Sequence, residues 1–278
     1  MILKKLCWLA ALGLGVCLVR TVSAQDYHWT GNGLDGLWAN PANWDNGVPA
    51  PNVVGGVFLD PTANGSIITI APGEVENPGT IGNNHPPYGT IFGPEWGATL
   101  NIYGTLHYDW YLAPVQNVAA SPSIVNMYGN SSLSGEGIAL GYNWWWNGGP
   151  YVNMNMYDNS AVNINFFFWG GHLNLYGGTF TTGGVADGSV DAVSDATRMM
   201  DLAGGKLILS GDATSTVNGW IARGIIEGYG VVGAVGIDTV TDPGYTIVTG
   251  VVPEPASAAL LGLGGLLGTL FLRRRSAA

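Results

Sequence analysis

The sequence predicts an all-β fold, a right-handed parallel β-helix (solenoid) in which each repeat of the chain adds one coil. Three observations carry this prediction: abundant glycine (44 of 278 residues), aromatic residues at 11% with charged residues at only 10%, and a short repeated motif. Short strands joined by tight turns have such a composition. Aromatic residues at this level also argue against a disordered chain.

The repeated motif is an apolar residue, Asn or Asp, a second apolar residue, usually Tyr, and a turn residue. It occurs at Leu100–Gly104, Val125–Gly129, Met154–Asp158 and Leu173–Gly177, with a degraded copy at Met200–Gly204. This alternation sends successive side chains to opposite faces of a half-buried strand. The copies are 19 to 29 residues apart, which suits the coils of a solenoid whose repeats bury their apolar faces by stacking.

The asparagines of the four complete motifs allow two interpretations. Asn101, Asn126, Asn155 and Asn174 form either a side-chain ladder along the coils or merely the polar half of the alternation. The alternative fold is an antiparallel β-sandwich with glycine-rich hairpins, although the uniform register of the motif favours the solenoid. We expect no convincing amphipathic helix in the body; the best candidate for a short one is 191–202.

The first 24 residues are typical of a secretory signal peptide. Lys4 and Lys5 precede an apolar run, Leu6–Val19, and small residues precede a cleavage point between Ala24 and Gln25. The alternative is an uncleaved anchor, but a run of about 14 residues is short for a membrane span. Both cysteines of the chain lie in this segment, so we expect a mature protein without disulfides or thiolate metal sites.

The last 28 residues, 251–278, contain a second hydrophobic segment. Pro253, Glu254 and Pro255 precede an apolar run over 256–272, which the arginines Arg273, Arg274 and Arg275 follow. A helix of that length spans about 25 Å, the lower limit for a transmembrane helix. Arginines stop transfer and stay on the cytoplasmic side. A permanent anchor is the alternative to a processed signal.

This order of Pro-Glu-Pro, apolar span and arginine cluster resembles the PEP-CTERM sorting domain of bacteria. The resemblance implies that exosortase, a membrane protease-transferase, recognises the motif and removes the span. It therefore implies export with transient anchoring in the inner membrane, followed by residence at the cell surface, in the envelope or in the extracellular matrix. It also implies a bacterium that makes extracellular polysaccharide.

Tryptophans dominate the start of the expected mature chain, around Trp29, Trp38 and Trp44. The stretch Trp38-Ala39-Asn40-Pro41-Ala42-Asn43-Trp44 resembles the opening of bacterial surface proteins with autotransporter-type β-strand repeats. A solenoid needs a cap over its open end, and these residues suit one. The alternative is a sugar-binding platform, and we favour the cap.

The body, residues 25–250, is strongly acidic. Only Arg198, Lys206 and Arg223 are basic between the two terminal segments, against eighteen acidic residues, so the net charge of the body is near −15. Such a surface repels phosphate backbones, which excludes a nucleic-acid partner.

Three consecutive tryptophans, Trp144, Trp145 and Trp146, are the candidate contact for a glycan or a protein partner. Side chains of adjacent residues in a strand point in opposite directions, so all three cannot face one core. Exposed aromatic rings stack on sugars and on other proteins. The alternative is that they fill the interior of the coils.

The sequence predicts no catalytic residues, no metal site and no cofactor. Its acidic residues are scattered rather than paired, its four histidines are single, and it lacks a nucleophile elbow and a phosphate-binding loop. We therefore expect a non-enzymatic structural or adhesive protein, with signal peptidase and exosortase as export partners and extracellular polysaccharide as a further partner. The alternative is a secreted β-helix polysaccharide lyase or hydrolase.

Overall fold

A computed structural model describes residues 27–49, 57–59, 67–76, 91–92, 98–108, 111–113, 123–140, 152–186 and 198–252, and these are mostly β. The strands are β1 (Tyr27–His28), β2 (Val57–Phe58), β3 (Ile67–Ile70), β4 (Val75–Glu76), β5 (Ile91–Phe92), β6 (Thr99–Ile102), β7 (Thr105–His107), β8 (Tyr111–Ala113), β9 (Ser123–Met127), β10 (Ser132–Leu140), β11 (Val152–Met156), β12 (Ala161–Trp169), β13 (His172–Leu175), β14 (Thr179–Ala186), β15 (Met199–Leu202), β16 (Lys206–Ser210), β17 (Ile226–Gly228), β18 (Val231–Val232), β19 (Val235–Asp238) and β20 (Tyr245–Gly250). A 3₁₀ turn covers Pro41–Asn43, and helix α1 covers Thr214–Arg223.

The strands form two sheets. The order of the twelve-stranded sheet is β1-β2-β5-β8-β10-β12-β14-β16-β20-β19, with β4 paired to β7 and β7 to β10. The order of the eight-stranded sheet is β18-β17-β15-β13-β11-β9-β6-β3. Among the described strands, the pairings that join β1 to β17 are parallel, whereas β18, β19 and β20 pair antiparallel. The sheets are therefore mixed.

The repeated motif sets the register of the eight-stranded sheet. The register partners on neighbouring strands are Asn101 and Asn126, Asn126 and Asn155, Asn155 and Asn174, and Asn174 and Asp201 of the degraded copy. The apolar residue before each of these positions is fully buried: Leu100, Val125, Met154, Leu173 and Met200. The sequence-predicted strands and their parallel, in-register pairing are thus confirmed across five consecutive motifs.

In the longest strands of the twelve-stranded sheet, the alternation of inward and outward side chains is interrupted near the middle. Ladder pairing of β10, β12 and β14 is interrupted at Glu136, Asn165 and Gly183. Asn165 and Phe166 are consecutive exposed residues between buried Ile164 and Phe167. Strands β7 and β8 both pair with β10, one on each side of Glu136.

A continuous apolar core joins the buried faces of both sheets and α1. Trp169, at the end of β12, packs edge-on against Trp220 of the helix, with ring centroids 5.4 Å apart at 80°. The helix buries only Val217 and Trp220, and it ends at Gly224, whose φ of 71° is left-handed.

The expectation that the body has no helix is wrong for Thr214–Arg223. One buried pair three residues apart gives too weak a periodic signal to be read from the sequence. The candidate helix at 191–202 is also wrong at its end, because Met199–Leu202 is strand β15. The earlier part of that segment lies outside the described residues.

Residues 27–49 lie at one end of both sheets. Strand β1 is the terminal strand of the larger sheet, and Leu37 forms a parallel bridge with Thr69 of β3 in the smaller one. Trp29, Trp38 and Trp44 are buried, and their rings pack edge to face with centroids 5.1 and 4.8 Å apart. Buried rings cannot form a sugar-binding platform, so the structure agrees with the cap.

Candidate functional site

The outer face of the eight-stranded sheet carries two rows of identical side chains, which we call the ladder face. Its first row is Asn101, Asn126, Asn155 and Asn174, and its second row is Tyr103, Tyr128, Tyr157 and Tyr176. The Nδ2 atoms of Asn126, Asn155 and Asn174 each donate to the Oδ1 of the asparagine on the preceding strand of the sheet, at 2.9, 2.9 and 2.8 Å. The asparagines therefore form a ladder rather than isolated polar positions.

The tyrosines of the ladder face form a continuous ring stack. Successive centroids are 4.8, 5.0 and 5.3 Å apart, with interplanar angles of 15°, 4° and 23°. The terminal rings, Tyr103 and Tyr176, are 41% and 45% exposed, and the two middle rings are less exposed. Burial and the neighbouring phenols of Tyr103 and Tyr157 raise the pKa of Tyr128 above its usual value, as expected for packed hydroxyl-bearing rings.

Local strand geometry explains why both rows share one face. Each tyrosine follows its asparagine by two residues, and residues two apart in a strand point the same way. Parallel in-register pairing then places like above like. The stack ends where the register positions next to Tyr103 and Tyr176 are occupied by Ala71 and Ala203, which follow Ile70 and Leu202.

The ladder face is uncharged along its four coils. The outward residues two positions before the asparagines are Thr99, Ile124, Asn153 and His172. Burial lowers the pKa of His172, which favours its neutral form. Charge begins only at the next coils, where Asp201 and Glu227 continue the row of asparagines. Burial and the charge of Asp201 raise the pKa of the Glu227 carboxyl.

A cavity of about 540 Å³ opens beside the charged end of the ladder face. It is lined by His172, Asn174, Arg198, Met199, Arg223, Gly224, Ile225 and Glu227. Two of the three basic residues of the body thus line the same cavity as an imidazole and a carboxylate. The Arg198 side chain is almost fully buried, at 2% exposure. A cavity with this lining can bind a polar group, and it exposes an acid and a base to the same space.

The predicted cleavage, contact, sorting and stop-transfer residues all lie outside the described part of the chain. These are the cleavage pair Ala24 and Gln25, the aromatic run Trp144, Trp145 and Trp146, the sorting residues Pro253, Glu254 and Pro255, the span over 256–272 and the stop-transfer residues Arg273, Arg274 and Arg275. Within the described ranges, no three acidic, histidine or cysteine side chains group as they would around a metal ion. Those ranges also contain no helix long and apolar enough to cross a membrane.

Sequence reasoning missed two features of this region. The tyrosine stack had a sequence signal, because tyrosine occupies the fourth position of all four complete motifs. That the tyrosines point outward and stack was not inferred from this signal. The cavity had none. Its lining residues are spread over more than fifty positions, and only the packing of β13, β15 and β17 brings them together.

Comparison with known proteins identifies the C-terminal segment. Residues 251–275 match the model of the PEP-CTERM protein-sorting motif. The motif implies an exported, cell-surface protein that is processed by exosortase. No curated protein and no solved structure matches the chain, so nothing supports the resemblance of the body to autotransporter-type repeats.

Proposed function

We propose that this chain is a non-enzymatic structural or adhesive protein of the cell surface or exopolysaccharide matrix, built on a right-handed parallel β-solenoid. The observation that carries the proposal is the sorting motif at 251–275, because a protein sorted in this way acts outside the cell. Signal peptidase would cut between Ala24 and Gln25. The span over 256–272 would hold the chain in the inner membrane until exosortase removes it.

Repetition in the body supports a structural role. Five motifs pair in parallel and in register. Hydrogen bonds of 2.8–2.9 Å between asparagine side chains connect four of them. Stacked repeats of this kind give a body whose binding surface extends along its length. The acidic charge of the body also favours solubility outside the cell.

The first experiment is the intact mass of the protein recovered from producing cells, with membrane and matrix fractions kept apart. We expect a matrix form that begins at Gln25 and has lost everything after the Pro253–Pro255 region. Replacing Pro253, Glu254 and Pro255 by alanine should leave an unprocessed, membrane-bound chain. The matched control, Asp242→Ala with Pro243→Ala in a turn just before the motif, should be processed normally.

One result would overturn the proposed sorting. If the wild-type protein is found only in the membrane fraction and still carries Arg273–Arg275, the C-terminal segment is a permanent anchor. The same measurement tests the signal peptide, because a mass that includes residues 1–24 means that the first hydrophobic segment is retained.

The aromatic run Trp144–Trp146 is proposed as a glycan or partner contact of this surface protein. Its test is binding to the exopolysaccharide of the producing cells after all three residues become alanine. We expect weaker binding, and unchanged binding would remove these tryptophans from the proposal.

The cavity supports a second candidate function, a secreted polysaccharide lyase or hydrolase. Such enzymes need an acid and a base, or two acids, on either side of the scissile bond. His172 and Glu227 both line the cavity, with Arg198 and Arg223 beside them. The guanidinium groups suit a carboxylated sugar.

This second candidate is tested by incubating the full chain with acidic and neutral polysaccharides and measuring new chain ends and unsaturated sugars. An enzyme should lose this activity in His172→Ala and Glu227→Gln. It should keep the activity in His107→Ala, because His107 lies on another sheet, where its ring bonds to the hydroxyl of Ser134 at 2.8 Å. Absence of any product from either polysaccharide class counts against an enzyme.

A further inference from the structure

We propose that the ladder face binds a neutral, hydroxyl-rich polysaccharide that lies along the rows of asparagines and tyrosines. The inference deepens the proposed function and depends on it only for the place where the protein meets its ligand. The glycan would lie on the outer face of β6, β9, β11 and β13.

The amide ladder leaves hydrogen-bonding capacity on every coil. Each amide has two N–H donors and an oxygen with two lone pairs, and the ladder uses one donor of Asn126, Asn155 and Asn174 for the coil before. The remaining donors and lone pairs recur at the strand spacing of about 4.8 Å. A polymer with several hydroxyls on each unit can match such a row, because each unit meets the same groups as the last.

The tyrosine stack supplies apolar surface beside that row. The ring faces of Tyr128 and Tyr157 are covered by their neighbours, so these residues offer ring edges and hydroxyls. Tyr103 and Tyr176 each have one ring face without an aromatic neighbour, because the next positions along the stack are Ala71 and Ala203. The two tyrosines are 41% and 45% exposed. Each terminal ring therefore has a face on which one sugar ring can stack.

Charge selects a neutral glycan over an acidic one. The twelve outward positions of the four coils bear no formal charge when His172 is neutral, while the body as a whole is strongly acidic. Asp201 and Glu227 continue the asparagine row at one end. The twelve outward positions offer no cation that could pair with a polyanion, and the net negative charge of the body repels one, whereas a neutral chain is not repelled.

The test uses the full chain and affinity electrophoresis in gels that contain the exopolysaccharide of the producing cells. This polysaccharide is first separated by anion exchange into neutral and acidic fractions. We expect retardation by the neutral fraction. Tyr103→Leu combined with Tyr176→Leu should weaken it by about tenfold, since each variant keeps an apolar side chain but removes a ring face.

A second variant pair separates the two kinds of contact. Tyr128→Phe with Tyr157→Phe keeps both rings and removes two hydroxyls, so we expect a smaller loss, about two- to threefold. The control is Tyr245→Ala on β20, a similarly exposed tyrosine on the other sheet (39%), which should bind as the wild type does. Melting temperatures of all variants show whether each remains folded.

Several outcomes would overturn the inference. These are binding to the acidic fraction alone, no binding to either fraction, unchanged binding by folded Tyr103→Leu/Tyr176→Leu protein, and loss of binding only when Trp144–Trp146 become alanine. A concentration-dependent dimer that the leucine variants abolish, without glycan binding, would instead assign the face to a second copy of the chain. If the protein binds the neutral glycan but is absent from the matrix, the proposed function is wrong, whereas the role proposed for the ladder face is still supported.

Discussion

In strands β6, β9, β11 and β13, the residues of the repeated motif pair with their counterparts on the neighbouring strand, Asn with Asn and buried apolar residue with buried apolar residue. The tyrosines that follow these strands stack ring on ring. After Ser210 the chain instead forms α1 and then the antiparallel pairs of β17 to β20. The two regions share one apolar core. Only the parallel region generates rows of identical outer groups, because ladders need parallel, in-register pairing of similar strands.

Within the eight-stranded sheet, the boundary between the asparagine ladder and the C-terminal region lies at Asp201. It occupies the asparagine position of the fifth motif, but its carboxylate cannot donate to the Oδ1 of Asn174 as an amide would. Instead, its Oδ1 accepts the N–H of Gly230 in the C-terminal region. The difference between ladder and boundary thus depends on one side-chain group.

The largest expected effect is a loss of stability when a glycine in a crowded turn of the parallel region is replaced by alanine. An open turn in the C-terminal region provides the comparison. Gly178 and Gly211 have similar left-handed φ values of 70° and 74°. A Cβ at Gly178 would collide with the backbone oxygen of Ser160, whereas one at Gly211 would meet nothing within 4 Å. We expect Gly178→Ala to lower the free energy of unfolding by about 2–4 kcal/mol and Gly211→Ala by about 1 kcal/mol.

Urea denaturation of both alanine variants measures this difference. Equal losses would mean that the backbone around Gly178 and Ser160 moves apart without loss of stability. The tight stacking inferred for the parallel region would then be wrong.

Removal of a central ladder residue should have the next largest effect. Asn126 donates to Asn101 and accepts from Asn155, so Asn126→Ala deletes two bonds and leaves part-buried groups on both neighbours. We expect a loss of about 1–3 kcal/mol. The control is Asn159→Ala in an exposed turn, where a single 3.3 Å bond to Asn130 is lost; its effect should stay below about 0.5 kcal/mol. Similar losses in both variants would show that the ladder adds no stability of its own.

Extension of the ladder across the boundary should stabilise the protein. Asp201→Asn supplies the missing donor to Asn174 and keeps an oxygen for the N–H of Gly230. We expect a gain of about 0.5–1.5 kcal/mol at neutral pH. Asp158→Asn, at an exposed turn where the carboxylate accepts from Gly129, should give no gain. Thermal unfolding checks both, and a destabilised Asp201→Asn protein would contradict the role given to this position.

The smallest effect is the pH dependence that Glu227 contributes at the boundary, beside that of Glu76, whose pKa is raised to about 7 by burial and by the charge of Glu74. The pKa of Glu227 is raised by burial and by Asp201, so the folded state retains this proton to a higher pH than the unfolded state. Stability from this group is therefore complete below the ordinary glutamate pKa and falls as pH rises from there through the raised pKa. The side chain is mostly solvated, so the change should remain below about 1 kcal/mol.

Unfolding of the wild type and Asp201→Asn across mildly acidic to neutral pH measures this dependence. The variant should show a weaker decline, because one cause of the raised pKa is gone. An equally steep decline in both proteins would exclude Asp201 as that cause.

Much of the parallel region could be predicted from the printed sequence. The five motifs fall on β6, β9, β11, β13 and β15, because a repeated alternation of apolar and polar residues is a local signal that stacking preserves. The ladder remained undecided at that level. The same alternation of asparagine with apolar residues fits an isolated polar row, and only the hydrogen bonds between amides of neighbouring strands separate the two interpretations.

Other features had no usable sequence signal. Helix α1 buries just Val217 and Trp220, too few residues to mark a periodic face. The cavity around Arg198 combines residues from three strands and the helix end, so no spacing along the chain announces it. The tryptophans of the N-terminal segment suited both a cap and a platform until their burial was known.

The sequence by itself determined the motif that sorts this protein, the strands of its repeats and the acidic, cysteine-free character of its expected mature body. These properties depend on residue type and local order alone. Tertiary structure decided that the asparagines hydrogen-bond to one another, that the tyrosines stack with two open ends, and that basic and acidic side chains line one cavity beside them. Each of those depends on distances between residues of different coils, which register and packing set.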